Sequence, residues 1–356
     1  MRQLDFTPAI DVLEDRQDVC ICGHLNPDGD SLGSVLALTL ALRDRGYTVV
    51  PLLANEATPR VYDYLPLFDE LVYAKDYRDA PDVFISVDVP GIERTGAAVE
   101  VFSRAEGSIA IDHHLGTPGF ADAALVDPQA PSCSMLVWDF IAQMGITRTP
   151  EIATCCYTGL VTDTGRFQFQ NADADALSYA AEMVEAGADP AFICTKVYQR
   201  KTREALMLEA LAISRMRFMC AGGVVLSWTR AADLAEIGAV RDDTDSLVNT
   251  IRCLDGVEVA VMLREEAGGV THGSIRSKSA RDVSHIAAAF GGGGHAAAAG
   301  FTTDKTLEET VAALKPLLER SFAEQPAGTQ AGEGNGGQRS AQRPDDGRRG
   351  EGRALR

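Results

Sequence analysis

Positive charge is scarce in this chain. Its 356 residues carry 33 Lys and Arg against 51 Asp and Glu, a formal net charge of −18. That balance excludes broad coating of DNA or RNA, long duplexes included, because such binding needs an electropositive surface. A small anionic substrate stays open if metal ions reverse the sign locally. No C-x-x-C pair occurs among the eight cysteines, Cys20, Cys22, Cys133, Cys155, Cys156, Cys194, Cys220 and Cys253. Zinc-ribbon and thioredoxin readings therefore fail. Most of these cysteines lie in apolar runs and read as small core residues of a reducing compartment. No apolar run reaches the roughly 18 residues of a membrane span. The opening MRQLDFTPAIDVLEDRQD lacks the apolar block of a signal peptide. A soluble, cytoplasmic protein without a membrane partner is expected.

What is present is ample core material, 46% hydrophobic residues, on a length that suits two domains. Val19–Cys22, Tyr47–Leu53, Leu71–Tyr73, Val83–Val87 and Ser108–Ile111 read as strands. Helical patterns fall at about 5–16, Leu32–Leu42, Ser132–Met144, Pro150–Val161 and Asp173–Ala186. Strands alternating with helices imply an α/β fold whose N-terminal domain, residues 1–187, is a doubly wound, mainly parallel sheet. Residues 188–203 read as a linker, with AFICTKVYQRKT as a mixed connector. Residues 204–323 read as a smaller C-terminal α/β domain. There Arg203–Arg217, Val283–Phe290 and Leu307–Phe322 are helical, and Val224–Trp228, Val257–Leu263 and Thr271–Arg276 are strands. From about Glu324 to Arg356, Gly, Gln, Arg and Pro dominate. Such a stretch cannot bury enough apolar surface to order itself. It reads as a disordered tail, solvated filler or a weak RNA contact.

His24–Ser34, HLNPDGDSLGS, is the stretch on which the chain is organised. It joins an apolar strand to a helix, a turn that open parallel sheets place at the ligand-binding carboxyl edge. Pro27 stiffens it and Gly29 lets it bend. Asp28 and Asp30 stand two apart, which suits two adjacent cations. Taken alone, the turn fits an acidic surface loop with an Asp helix cap equally well. Three more acid or imidazole clusters follow: Asp88, Asp112-His113-His114, and Asp163 in YTGLVTDTGRFQF. Three of the four clusters follow apolar strands, so parallel strands would bring them to one edge. Four Asp and two neutral His suit two divalent metals, and such mixed ligands favour Mn²⁺ or Fe²⁺ over structural zinc. Two metals about 3.5–4 Å apart lower the pKa of a bridging water and clamp a phosphoryl group.

This pattern resembles the DHH phosphoesterases. Four blocks match: HLNPDGDSLGS, VDVP at 87–90, IDHH at 111–114 and the block around Asp163. In the second domain GSIRSK (273–278) and GGGGHAAAAG (291–300) resemble the associated DHHA1 domain. The resemblance covers about residues 15–320. It implies two Mn²⁺, other divalent ions being possible. His24 and Asp28 would hold one ion, Asp30, His113 and Asp163 the other, and Asp88 would bridge them. His114 would face the phosphate, Asp112 would orient a neighbouring histidine, and Arg94 would support the site. Arg276 and His295, then Ser277 and Lys278, would contact substrate. Gly291–Gly294, with Gly292, Gly293 and Gly294 at the centre, would let backbone amides approach a phosphate or base. Four glycines would also make a helix-terminating flexible loop, but His295 and the small-residue run that follow favour the resemblance. Strand alternation would separate Arg276 from Ser277 unless the strand ends there.

The compact two-domain layout resembles the bacterial nano-RNases of that family. They hydrolyse short RNAs of two to five nucleotides to 5′-monophosphates, and many also remove the 3′-phosphate of pAp. Linear or cyclic dinucleotides are the alternative substrates, and a nucleotide sensor that does not hydrolyse is the alternative class. A homodimer is compatible with the sequence.

Overall fold

The computed structural model describes residues 4–324 apart from 56–58, 115, 117–118, 267 and 279–280. The chain divides into two compact units, one ending at Lys201 and the next starting at Thr202.

In the first unit six strands form one parallel sheet. They are β1 (Asp18–Cys22), β2 (Thr48–Leu53), β3 (Val72–Tyr73), β4 (Val83–Val87), β5 (Gly107–Asp112) and β6 (Ala123–Val126), in the order β3-β2-β1-β4-β5-β6. β4 and β5 are buried along their whole length, the pattern of parallel strands covered on both faces. Alternation assigns the covers. Val19, Ile21, Ile85 and Ile109 point to a large core shared with the helices α1 (Thr7–Leu13), α2 (Gly29–Asp44), α4 (Cys133–Gln143), α5 (Pro150–Asp163) and α6 (Ala174–Glu185). Cys20, Cys22 and Phe84 point to the other face, against Ala98 and Val101 around the short helix α3 (Val99–Phe102). Cys20 and Cys22 are thus core residues with free thiols.

Helix α2 is buried almost all round, because sheet, α4 and α5 surround it. Its approach to α5 is close. A methyl group on Gly33 would strike the Cys155 carbonyl, and one on Gly29 would strike Thr162. The connector after residue 187 carries a helix, α7 (Pro190–Tyr198), packed on this unit. Asp189 caps it, accepting from the amides of Ala191 and Phe192 at 3.0 Å, and Pro190 sits in its first turn.

The second unit holds a mixed six-stranded sheet. Its strands are β7 (Arg217–Met219), β8 (Val224–Thr229), β9 (Val259–Glu265), β10 (Thr271–Ser277), β11 (Gly293–His295) and β12 (Ala298–Thr303), in the order β11-β12-β10-β9-β8-β7. Only β8 and β9 pair in parallel. Helices α8 (Arg203–Ser214), α9 (Ala231–Ile237) and α10 (Leu247–Arg252) line one core, and α11 (Ser284–Ala288) and α12 (Leu307–Glu324) the other. The glycine run expected as a loop supplies β11, an edge strand held by backbone pairing with β12. Glu324 closes α12 rather than opening a tail, and residues 325–356 lie outside the described residues. Among the described residues, no helix is long and apolar enough to cross a membrane.

Candidate metal centre

Register brings the first three clusters together. Cys22 lies opposite Ser86, and Val87 lies opposite Ile111. β1, β4 and β5 therefore end side by side, and the residues that follow, His24, Asp88 and Asp112–His114, leave one edge. β1 sends its chain outward to β2, while β4 continues to β5 on the other side. This reversal of strand order opens a crevice at the carboxyl ends.

Asp88 stands at the centre of the crevice. It is 2% exposed, and its Oδ2 lies 3.4 Å from His24 Nε2 while its Oδ1 lies 3.3 Å from His113 Nε2. The backbone there is left-handed, φ 59°, and its amide donates to the Ile111 carbonyl at 2.9 Å. Both imidazoles are aimed by main-chain acceptors. His24 Nδ1 donates to the Leu25 carbonyl at 2.9 Å, and His113 Nδ1 donates to the Ala130 carbonyl at 3.1 Å. A carbonyl only accepts, so each ring presents Nε2 to the carboxylates. Leu25 in turn donates its amide to the Arg94 carbonyl at 2.7 Å. The exposed Arg94 thus supports the His24 turn through its backbone.

Asp28 caps α2, its Oδ1 accepting from the amides of Asp30 and Ser31 at 3.0 Å, and it lies 3.7 Å from His24 Nε2. Asp30, 1% exposed, accepts from the amides of Cys133 and Ser134 at 2.6 and 2.9 Å, so the positive end of α4 grips it. Gly159 leaves the room: a methyl group there would collide with Asp30 Oδ1 and Ser134 Oγ. Asp163, at the end of α5, completes the set, and both Asp30 and Asp163 lie 3.8 Å from His113 Nε2. Donor atoms converge in three groups: His24, Asp28 and Asp88; Asp30, His113 and Asp163; and Asp88, His113 and His114. In the third group, Nδ1 of His114 already donates to Asp112 Oδ1 at 2.7 Å. Asp112 also accepts the His113 amide at 2.9 Å.

So many buried carboxylates draw protons. At His24, burial opposes charging, but Asp28 and Asp88 outweigh it and raise the imidazole to about 11. His113 behaves alike, burial being overcome by Asp88 and Asp30, and it too is raised to about 11. Burial works to raise Asp88, yet His113 and His24 hold it below the usual carboxylate range. Asp30 is raised to about 7, first by burial and then by the charge of Asp88. Asp163 is raised by burial and Asp30. Among the described residues, Asp88 Oδ1 and Asp112 Oδ2 are buried without a hydrogen-bond partner. An orphaned oxygen between two imidazoles, among oxygen and nitrogen donors, fits divalent cations.

Sequence reasoning passed over the groups that hold these ligands. They are Ser31, whose hydroxyl accepts the His24 amide at 3.1 Å, the Cys133 and Ser134 amides, and Asn171. The Asn171 amide donates to the carbonyls of Pro131 and Asp163 at 3.0 and 3.2 Å and reaches Asp163 Oδ2 at 3.5 Å. A serine cap ahead of α4 (Ser132) was the available signal for the first helix end.

The other named residues belong to the second unit. β10 ends at Ser277, and Arg276 and Ser277 face opposite sides of it. The Arg276 guanidinium donates to the Ile275 carbonyl at 3.1 Å, with Ala299 O at 3.5 Å, and its burial lowers its pKa. Ser277 is buried, and Lys278 Nζ donates to the Leu254 carbonyl at 2.6 Å. Gly292 and Gly294 lie so close to β12 that a methyl on either would meet the Gly300 or Ala298 carbonyl. Gly293 and His295 pair with Gly300 and Ala298.

Comparison with known proteins follows the same division. Residues 18–160 match the profile described as the DHH family, N-terminal domain, and residues 225–324 match the DHHA1 domain. The bifunctional oligoribonuclease and PAP phosphatase NrnA of Thermus thermophilus is 33% identical over 315 residues, covering 85% of this chain and 91% of the relative. The protein of the same description from Bacillus subtilis is 25% identical over 281 residues, 78% and 86% of the two chains. Among solved structures, an exopolyphosphatase-related protein from Bacteroides fragilis superposes with a TM-score of 0.84 at 26% identity, over 90% of this chain and 96% of the other.

Proposed function

The chain belongs to the DHH family and is a phosphoester hydrolase, and from that premise we propose that it cleaves oligoribonucleotides of two to five residues to nucleoside 5′-monophosphates and converts pAp to AMP, using two Mn²⁺. The observation that carries this reading is Asp88. One carboxylate has its two oxygens 3.4 and 3.3 Å from imidazoles of two different donor groups. We assign His24 and Asp28 to one ion, Asp30, His113 and Asp163 to the second, and Asp88 to both. Such ions, when bound, acidify water and neutralise phosphate charge.

The chain's own residues do the rest. Asp112 holds Nδ1 of His114 at 2.7 Å, which fixes the ring so that Nε2 is the nitrogen offered to a phosphoryl oxygen. A proton on that atom stabilises charge developing on the phosphoryl group. Arg276, Ser277, Lys278, His295 and the amides of Gly292–Gly294 are assigned to the non-reacting part of the substrate. The acidic exterior disfavours long polyanions, which agrees with a short one. The names of the relatives from Thermus thermophilus and Bacillus subtilis support both activities.

The test is a panel of pAp, di- to pentaribonucleotides and linear and cyclic dinucleotides, with Mn²⁺, Mg²⁺ or chelator, scored by product chromatography. Release of AMP from pAp and of 5′-monophosphates from short RNA, dependent on metal, is expected. Binding without turnover would instead mark a sensor. Arg276→Ala should raise KM and leave metal content unchanged.

A further inference from the structure

Helix α5 ends in a Schellman motif directly after Asp163. Thr164 is the cap residue, and Gly165 follows with φ 55°. The Gly165 amide donates to the Thr162 carbonyl at 3.0 Å, and the Arg166 amide donates to the Val161 carbonyl at 2.8 Å. The residue that makes this second bond is frequently apolar and packs back on the helix. Here it is an exposed arginine, itself left-handed at φ 63°. One left-handed residue is enough to stop a helix, and glycine supplies it. A second, on a residue with a Cβ, is costly and persists where the surroundings impose it.

The surroundings are explicit. The Val161 carbonyl also accepts the Tyr198 hydroxyl at 3.1 Å, and the Arg166 guanidinium lies over the Tyr198 ring, 4.7 Å from its centroid. One carbonyl therefore fixes both the backbone of the arginine and the ring beneath its side chain. Just past Tyr198, Arg200 ties the end of α7 to Asp63 through two bonds, 2.6 and 3.2 Å.

Stacking occupies the flat face of a guanidinium and leaves its N–H donors, which lie in the plane, at the edge. Aspartates crowd the neighbouring metal centre. Yet, among the described residues, no carboxylate pairs with Arg166 and no acceptor takes its side-chain donors. A held, planar fork of donors matches a phosphate. The place is close to the chemistry. Val161 anchors the arginine, Thr162 lies against Gly29 beside Asp28, and Asp163 is itself a metal donor.

The two reactions proposed above share a leaving group. In each, water adds to phosphorus, the P–O3′ bond breaks, and O3′ departs with a proton. From pAp the departing part is AMP. From a 5′-phosphorylated dinucleotide it is again a nucleoside 5′-monophosphate. We propose that Arg166 holds the 5′-phosphate of this departing nucleotide, the phosphate that does not react. The proposal rests on the nucleotide-hydrolase reading and adds to it one anion site common to both activities.

The experiment sets pAp against adenosine 3′-monophosphate, which lacks only the 5′-phosphate, in Mn²⁺ buffer. The wild type should show a KM about 10- to 100-fold lower for pAp, the effect of one hydrogen bond to a charged group. Asn tolerates left-handed backbone, so Arg166→Asn removes the fork and keeps the turn. It should raise KM for pAp to that of the 3′-monophosphate and leave kcat within about twofold. Its turnover of the 3′-monophosphate should equal the wild type's, which also checks that the variant folds. Arg166→Lys should recover part of the preference. A preference that survives Arg166→Asn, an equal loss on both substrates, or a wild type indifferent to the 5′-phosphate overturns the assignment. Calorimetry separates this outcome from failure of the hydrolytic reading. Its probe is a dinucleotide with methylene in place of the scissile 3′-oxygen, with and without a 5′-phosphate. A wild type that prefers the 5′-phosphorylated probe through Arg166 but turns over no substrate defeats the hydrolytic reading and keeps the anion site. A wild type that binds neither probe overturns both.

Discussion

The Asp112 carboxylate accepts a 2.7 Å hydrogen bond from Nδ1 of His114 while it also takes the amide of His113. One acid thus orients the His114 ring, assigned to substrate, and anchors the backbone of His113, whose ring is aimed by the Ala130 carbonyl. Asp112→Asn should lower kcat about 10- to 100-fold, the usual effect of removing such an orienting partner. Bound metal, counted by plasma emission, should stay near the wild-type value, since Asp112 stands in none of the donor groups. Loss of metal in step with activity would make Asp112 a ligand.

Asp88 allows a cleaner substitution than alanine. Its φ of 59° is tolerated by Asn far better than by Ala. Asp88→Asn keeps the shape and removes the charge. Titration calorimetry with Mn²⁺ should show both binding events weakened, and turnover should fall by about 10³-fold or more. A variant that loses a single binding event would refute the shared-ligand assignment.

The metal-free protein should respond to pH with a definite sign. His24 and His113 sit near 11, against about 6.5 in an unfolded chain. Their contribution to stability is complete below about 6.5 and is lost as pH rises through 11. Asp30, raised to about 7 in the fold, likewise favours the folded state at low pH and loses that contribution as pH rises past 7. Differential scanning fluorimetry with chelator should therefore give a lower melting temperature at pH 9 than at pH 6. Metal entry must displace these protons, so Mn²⁺ affinity should climb with pH, and calorimetry in buffers of different ionisation enthalpy should detect proton release. Added Mn²⁺ should then raise the melting temperature more at pH 9 than at pH 6.

Gly159→Ala tests how the buried acid is held. The added methyl must displace Asp30 Oδ1 or Ser134 Oγ. Overpacking of this kind costs about 1–3 kcal/mol. Urea denaturation should register that loss, and the ion assigned to Asp30 should bind more weakly than the ion assigned to His24. Equal affinity for both ions would mean that Asp30 shifts without consequence.

Much of the first sheet was legible because its strands are continuous apolar runs that stop at an acid or an imidazole. Val83–Val87 before Asp88 and Ser108–Ile111 before Asp112 both lie in the strands observed. The convergence of His24, Asp88 and His113 followed from parallel strands alone. What escaped had weak local signals. β6 is Ala-rich and four residues long. α7 begins with an Asp-Pro cap that reads equally well as a turn. β11 is built from glycines of low strand propensity and exists through its backbone pairing with β12, a contact between segments that sequence periodicity does not report. The groups that hold Asp30 in place were hidden for another reason. Cys133, Ser134 and Gly159 act through amides or through the lack of a side chain, so their identity says little about their task.

The donors of the metal centre are spread along the chain in order, from His24 to Asp163 at the last turn of α5. During synthesis on the ribosome, β1 to β5 emerge with an acidic pocket still open on one side. The α4 amides that grip Asp30 arrive next, and Asp163 arrives last. A nascent chain halted before α5 would carry the charge repulsion of the pocket with one donor of the second group missing, so the full set of candidate donors exists only once α5 has left the ribosome.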